Sequence, residues 1–210
     1  MRPDFQIEIV YSDEQLVVVN KPSGLLSVPG RGPDKADCLL SRLQDQFPTI
    51  RVVHRLDCAT SGLMVLALDA DSHRELSRQF HDREVKKRYE ALVYGFMEDE
   101  SGEVNQPLKT DWPNRPRQMI SHEGKAAQTF YQCTTRSEQA SRVILTPITG
   151  RSHQLRVHML YTGHPILGDG LYAHESALKA SSRLCLHATD LSIYQPKTKT
   201  FMEFSSATPF

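Results

Sequence analysis

The densest cluster of reactive side chains in this sequence is His54-Arg55-Leu56-Asp57-Cys58-Ala59-Thr60-Ser61-Gly62. It sets a carboxylate beside a guanidinium and an imidazole, and the apolar run Leu63 to Leu68 follows directly. A run of that length and composition reads as a strand buried on both faces. A loop fixed by such a strand is a favourable place for a catalytic group. Neighbouring cations favour the charged form of a carboxylate, and an oriented carboxylate serves as nucleophile or base. The competing reading makes Asp57 a turn cap, and the residue types alone weigh the two about equally.

Three further clusters carry charge in useful patterns. In Gly150-Arg151-Ser152-His153-Gln154-Leu155-Arg156-Val157-His158, helical spacing puts His153 and Arg156 on one polar face and turns Leu155 and Met159 inward. That face could bring Arg156 to an active-site carboxylate, or could simply be solvated. His153 and His158 are badly spaced for a metal on one helix face, and no Glu stands as in H-E-x-x-H, so no metal site is expected. Lys86-Lys87-Arg88-Tyr89 ends a basic run in a phenol, suited to phosphate contact beside a base or to an ordinary strand. Asp111-Trp112-Pro113-Asn114-Arg115-Pro116-Arg117 offers an aromatic and two guanidinium planes on a proline-stiffened loop, able to stack on unpaired RNA bases or to stand as inert surface.

The elements that must position these groups are mostly strands. Ile7 to Tyr11, Leu16 to Asn20, Leu63 to Leu68, Tyr89 to Tyr94, Gln128 to Cys133, Val143 to Pro147, Leu184 to His187, Leu191 to Tyr194 and Thr200 to Phe204 carry strand signals. Helical periodicity marks Asp37 to Phe47, Asp71 to His81 and Gly150 to Tyr161. The order is not a regular βαβ series. The expected fold is α+β, a mixed and largely antiparallel central sheet with flanking helices and loops, as a single domain over residues 1–210.

Composition narrows the function classes. Of the 210 residues, 25 are basic and 25 acidic, which excludes a histone-like polycation. The charge is unevenly spread: residues 1–100 hold 13 basic and 17 acidic side chains, and residues 101–210 hold 12 and 8. Local basic patches therefore remain open as RNA contacts. Cys38, Cys58, Cys133 and Cys185 form no C-x-x-C pair and read as free thiols in packed positions. Met1 to Val10 lacks the apolar run of a signal peptide, and no segment has the length of a membrane span. A cytoplasmic protein is expected.

Taken together, the clusters resemble the RluA family of pseudouridine synthases. His54-Arg55-Leu56-Asp57-x-x-Thr60-Ser61-Gly62 is similar to the family's active-site motif. Asn20-Lys21-Pro22-Ser23-Gly24-Leu25 resembles its first motif, Lys87-Arg88-Tyr89 its K-x-Y segment, and Gly150 to His158 and Leu186-His187-Ala188 its later ones, in the same order. Leu25 to Arg31 and Asp111 to Pro116 look most like members with dual specificity for 23S ribosomal RNA and tRNA. The resemblance implies that Asp57 is the catalytic aspartate, that Tyr89 contacts the target base and takes a proton, and that Arg156 pairs with the aspartate. It assigns Arg55 to holding the flipped-out RNA. His54, Lys86, Lys87, Arg115, Arg117 and Arg151 are the further candidate RNA contacts. Cys58 falls at a variable motif position.

The first motif begins at Asn20, so a bare catalytic domain is expected, without the S4-like RNA-binding domain of many relatives. The implied reaction breaks the N1–C1′ bond of a uridine, rotates the base and joins C5 to C1′. It is an isomerisation and implies no cofactor, ATP or metal. The expected partner is RNA, 23S ribosomal RNA and tRNA, with no membrane, no obligate protein partner and a monomeric chain. Three rivals are a nucleoside hydrolase, which would ordinarily need a second carboxylate, a non-catalytic RNA-binding module, and a plain structural α+β domain, against which the basic clusters bordering the motifs argue.

Overall fold

The computed structural model describes residues 5–210. The reading of the amino terminus as lacking a leader rests partly on residues 1–4, which lie outside the described residues. The strands are β1 (Glu8–Ser12), β2 (Leu16–Lys21), β3 (Arg51–Val52), β4 (Ser61–Ala67), β5 (Lys86–Tyr94) and β6 (Ser101–Val104). They continue as β7 (Leu108–Thr110), β8 (Gln118–Ile120), β9 (Thr129–Arg136), β10 (Ala140–Pro147), β11 (Leu186–Tyr194) and β12 (Phe201–Ser205). The α-helices are α1 (Leu39–Leu43), α2 (Ala70–His81), α3 (Gln154–Tyr161) and α4 (Glu175–Lys179). The expected α+β class holds. Among the strand pairings within the two compact units below, all are antiparallel except β4 with β11.

The chain divides into two compact units, one comprising the residues up to Lys87 with His187–Pro209, the other Arg88–Leu186 with Phe210. In the first, strands run in the order β1-β2-β4-β11-β12. β4 is buried along its whole length, as its apolar sequence requires. One edge of β4 pairs with β2; the other is shared, with Ser61 and Gly62 beside β11 and Leu66 and Ala67 beside β3. Gly62 has φ +117°, and a Cβ there would stand 2.4 Å from the Ala188 backbone, so only glycine lets the two parallel strands approach. Leu16, Val18, Leu63, Val65, Leu76, Leu191 and Ile193 form the core of this unit. Helix α2 follows β4 because Asp69 caps it, accepting the N–H groups of Asp71 and Ser72 at 2.8 Å each.

In the second unit, β5-β10-β9-β6 form an antiparallel ladder and β7 pairs with β8 as a separate hairpin. Several expected boundaries shift. The helix expected over Asp37 to Phe47 stops at Leu43, before Pro48 disfavours helical backbone at Phe47. The two strands expected at Leu184 to His187 and Leu191 to Tyr194 are one, β11, because His187 and Ala188 pair with β4 and the ladder to β12 then starts at the polar Asp190, opposite Ser205. β3, β6, β7, β8 and α4 carry no clear sequence signal, being short or polar. Of the four cysteines, Cys38, Cys133 and Cys185 are buried as expected, but Cys58 is exposed, on the turn that follows Asp57. No described helix is long and apolar enough to cross a membrane.

Candidate active site

In the first unit the loop from His54 to Thr60 is held almost residue by residue. The Ser27 hydroxyl donates to the Leu56 carbonyl at 2.7 Å and accepts the Leu56 N–H at 3.1 Å, closing both sides of the residue before Asp57. The residue after it is fixed by Lys21, whose ammonium is fully buried and donates to the carbonyls of Pro22, Leu25 and Cys58 at 2.9, 2.7 and 3.1 Å. Gly24 N–H also donates to the Cys58 carbonyl, at 2.8 Å, and Cys58 Sγ donates back to the Gly24 carbonyl. The Ser23 hydroxyl reaches the Ala59 carbonyl at 2.6 Å, and Thr60 N–H closes a turn on the Asp57 carbonyl at 3.1 Å. Asp57 is thus a half-buried carboxylate on a backbone clamped on either side. Below the loop, Ser61 Oγ bonds His187 Nδ1 at 2.8 Å, and His187 Nε2 meets Ser206 Oγ at 3.1 Å.

His54 serves the same loop. Its Nε2 accepts the N–H of Val65 at 3.1 Å, and its ring stacks on Phe80 at 4.5 Å. Burial, reinforced by the charge of Lys87, pushes its pKa down to about 3. At neutral pH the imidazole is uncharged and offers no cation to a phosphate. Lys87 is half-buried with its ammonium 5.9 Å from the Phe80 centroid, and burial lowers its pKa. Arg55 and Lys86 are exposed.

In the second unit, Tyr89 is half-buried on β5, opposite Leu145 of β10. Helix α3 departs from the expected two-faced pattern: every residue from Gln154 to Met159 is buried. Its polar side chains find partners inside the protein. Gln154 accepts from the Thr149 hydroxyl and donates to the Gln128 carbonyl and Thr129, while His158 contacts Thr129 and the Gln106 carbonyl. Arg156, 5% exposed, donates to Asp169 through Nε at 2.8 Å and Nη2 at 2.6 Å. His153 does not share the helix with Arg156; it precedes it in a left-handed conformation, φ 55°, with Nδ1 2.6 Å from the Tyr172 hydroxyl.

The loop from Asp111 to Arg117 is the turn of the β7–β8 hairpin. Trp112 is 68% exposed, with the Arg115 guanidinium 4.4 Å from its ring centroid. Arg117 lies over the Tyr172 ring, and the Tyr172 hydroxyl accepts the Gln118 N–H at 2.7 Å. Arg151 is exposed and donates to the Ala126 carbonyl. Among the described residues, no group of three or more His, Cys, Asp or Glu is placed to hold a metal ion. Sequence reasoning missed Ser27, Asp169 and Tyr172. The one available signal was the apolar flanks of Arg156, since a guanidinium between Leu155 and Val157 on a buried helix needs a carboxylate.

A clamped loop presenting one half-buried carboxylate is a site able to hold a nucleophile or base at a fixed angle. Residues 15–161 match the family model described as RNA pseudouridylate synthase, and the chain belongs to that family. A relative from Yersinia pestis named dual-specificity RNA pseudouridine synthase RluA is 54% identical over 204 residues, 96% of this chain and 99% of the relative. The protein of the same name from Escherichia coli K12 is 50% identical, covering 96% and 93%. The solved structure of human RNA pseudouridylate synthase domain containing 1 superposes with a TM-score of 0.84 at 29% identity, over 100% of this chain and 87% of that one.

Proposed function

We propose that this RNA pseudouridine synthase acts on loop uridines of a 23S ribosomal RNA hairpin and of a tRNA anticodon stem–loop, with Asp57 as the carboxylate acting at ribose C1′. The observation that carries the assignment of Asp57 is the clamp around it: Ser27 on Leu56, Lys21 and Gly24 on Cys58, Ser23 on Ala59. Clamping a loop at successive carbonyls fixes the direction of the one carboxylate it bears, as attack at a defined carbon requires. The substrate assignment is supported by the dual-specificity relatives and by the hairpin loop with its exposed Trp112–Arg115 stack.

The reaction balances without an oxidant or nucleotide. The N1–C1′ bond breaks, the uracil turns, C5 bonds C1′, the C5 hydrogen leaves to solvent and N1 takes up a proton. The target uridine must leave its stack, at a cost of a few kcal/mol that is least in a loop. In this reading Tyr89 contacts the uracil and accepts a proton, Arg156 pairs with the carboxylate and aims it, and Arg55 holds the flipped strand. Lys86, Arg115 and Arg151, all exposed, are assigned to phosphates, with Lys87 and Arg117 supporting them. His54 is assigned to positioning the loop instead, since its ring is neutral and faces Val65 and Phe80. The chain is proposed to work as a monomer in the cytoplasm.

The test is tritium release from RNA containing 5-³H-uridine, using an anticodon stem–loop and ribosomal RNA from cells lacking the enzyme. Wild type should release tritium from both without free uracil, and Asp57→Asn from neither. Release by Asp57→Asn at the wild-type rate would remove the assignment of Asp57. Release from one RNA only would remove dual specificity.

A further inference from the structure

We infer that Asp169 is a positioning residue for the reaction, acting through the guanidinium of Arg156; this rests on the role proposed above for Arg156. Asp169 lies 13 residues beyond Arg156, outside the helix that carries it, and is itself almost fully buried. Its two oxygens grip one edge of the guanidinium, Nε to Oδ2 at 2.8 Å and Nη2 to Oδ1 at 2.6 Å. A two-point grip fixes the plane and rotation of the group, where a single contact would leave it free to swing.

The carboxylate is itself immobile. Oδ1 accepts the backbone N–H groups of Leu171 at 2.9 Å and Tyr172 at 3.2 Å. The residue before it, Gly168, has φ +69°, and a Cβ there would fall 1.8 Å from the Arg183 carbonyl oxygen, so the backbone leading into Asp169 admits no other side chain. The same turn delivers the Tyr172 ring, whose centroid is 5.1 Å from the Arg156 guanidinium carbon. The Tyr172 hydroxyl then meets both His153 Nδ1 and the Gln118 N–H. One carboxylate thus sets the edge of the guanidinium and the wall it lies against.

Stability alone gives a weak reason for this arrangement. An apolar pair of similar volume at such a site is commonly as stable as a buried ion pair, because it avoids the desolvation of two charges. Holding a cation at a fixed angle is something an apolar pair cannot do.

The experiment compares steady-state tritium release by wild type, Arg156→Lys, Asp169→Asn and the double variant, on whichever 5-³H-uridine stem–loop the wild type modifies. Folded fraction is taken from circular dichroism and thermal melting. Asp169→Asn should lower kcat by about 100-fold, the scale expected for a small misplacement of a reacting-site group, with KM little changed. The double variant should be no slower than Arg156→Lys alone, since one residue acts through the other. Wild-type kcat per folded molecule in Asp169→Asn, with Arg156→Lys impaired, would overturn the inference. So would losses that multiply in the double variant. Wild-type kcat in Arg156→Lys would instead remove the role of Arg156 and this inference with it. Should Asp169→Asn fail to fold, Asp169→Glu keeps the charge, shifts the carboxylate by one methylene and is read by the same criteria.

Discussion

The loop that bears Asp57 and the helix that bears Arg156 are immobilised by opposite means. Around Asp57 the holding groups are hydroxyls, an ammonium and a backbone N–H, and what they hold is main-chain carbonyl oxygen. Around Arg156 the holding group is a carboxylate, and what it holds is the functional side chain itself. The first arrangement fixes a backbone and leaves the side chain half-exposed; the second fixes the side chain and buries it. The physical reason lies in reach. Asp has only two side-chain torsions, so fixing its backbone leaves its oxygens few positions. Arg has a long flexible stem, and only a contact at the guanidinium sets its direction.

The contrast predicts different responses to substitution. The largest effect on stability belongs to Arg156→Ala, which strands Asp169 as a buried charge and should cost about 3–5 kcal/mol. In urea denaturation, adding Asp169→Asn to Arg156→Met should restore most of that stability, since the amide oxygen still accepts the Leu171 and Tyr172 N–H groups without the buried charge, while activity stays lost. A single variant as stable as wild type would show that the pair is not enclosed as described. Lys21→Met should cost less. It takes the ammonium from the carbonyls of Pro22 and Leu25, at about 1–3 kcal/mol for each fully enclosed acceptor, while the Cys58 carbonyl keeps the Gly24 N–H, and it also removes the desolvation of the ammonium. The net loss should be about 2 kcal/mol, with kcat lowered and RNA affinity retained. Equal losses of kcat and affinity would mean that the loop does more than aim Asp57.

The same contrast explains what the sequence made legible. The Asp57 loop stands out because its chemistry is contiguous: nine residues from His54 to Gly62 run into an uninterrupted apolar strand. Its clamps do not stand out. Lys21 ends a strand and precedes a proline, which reads as a surface cation, and its burial depends on a Cys58 carbonyl 37 residues away. The helix of Arg156 is expected over Gly150 to Tyr161 and runs only over Gln154–Tyr161, and its polar residues suggest a solvated face where the structure buries them. Each finds a buried partner that periodicity cannot reveal: Asp169 for Arg156, Thr129 for His158, Gln128 for Gln154. Fold class followed from strand number and order, which survive errors of two or three residues at each end. Partner identity does not survive such averaging, since it depends on contacts distant in sequence.

The smallest predicted effect tests whether His54 belongs with the clamps or with the phosphate-binding cations. Its folded pKa of about 3 lies below the ordinary value of 6.5. Between those two values the unfolded chain binds a proton that the folded chain does not, so acid favours unfolding. The contribution is complete above pH 6.5 and is lost as pH falls toward 3, with a slope of up to about 1.4 kcal/mol per pH unit. His158, also pulled down by burial, adds a change of the same sign in the other unit. His54→Gln keeps a hydrogen-bond acceptor near Val65 N–H and removes one of the two titrations. Between pH 7 and pH 5.5, above most carboxylate titrations, wild type should lose about 1 kcal/mol more stability than His54→Gln in urea denaturation. An equal loss in both proteins would mean that the imidazole is solvated and charges freely. It would then return to the list of groups that could meet a phosphate, and the hold on Asp57 would rest on Ser27, Lys21, Gly24 and Ser23 alone.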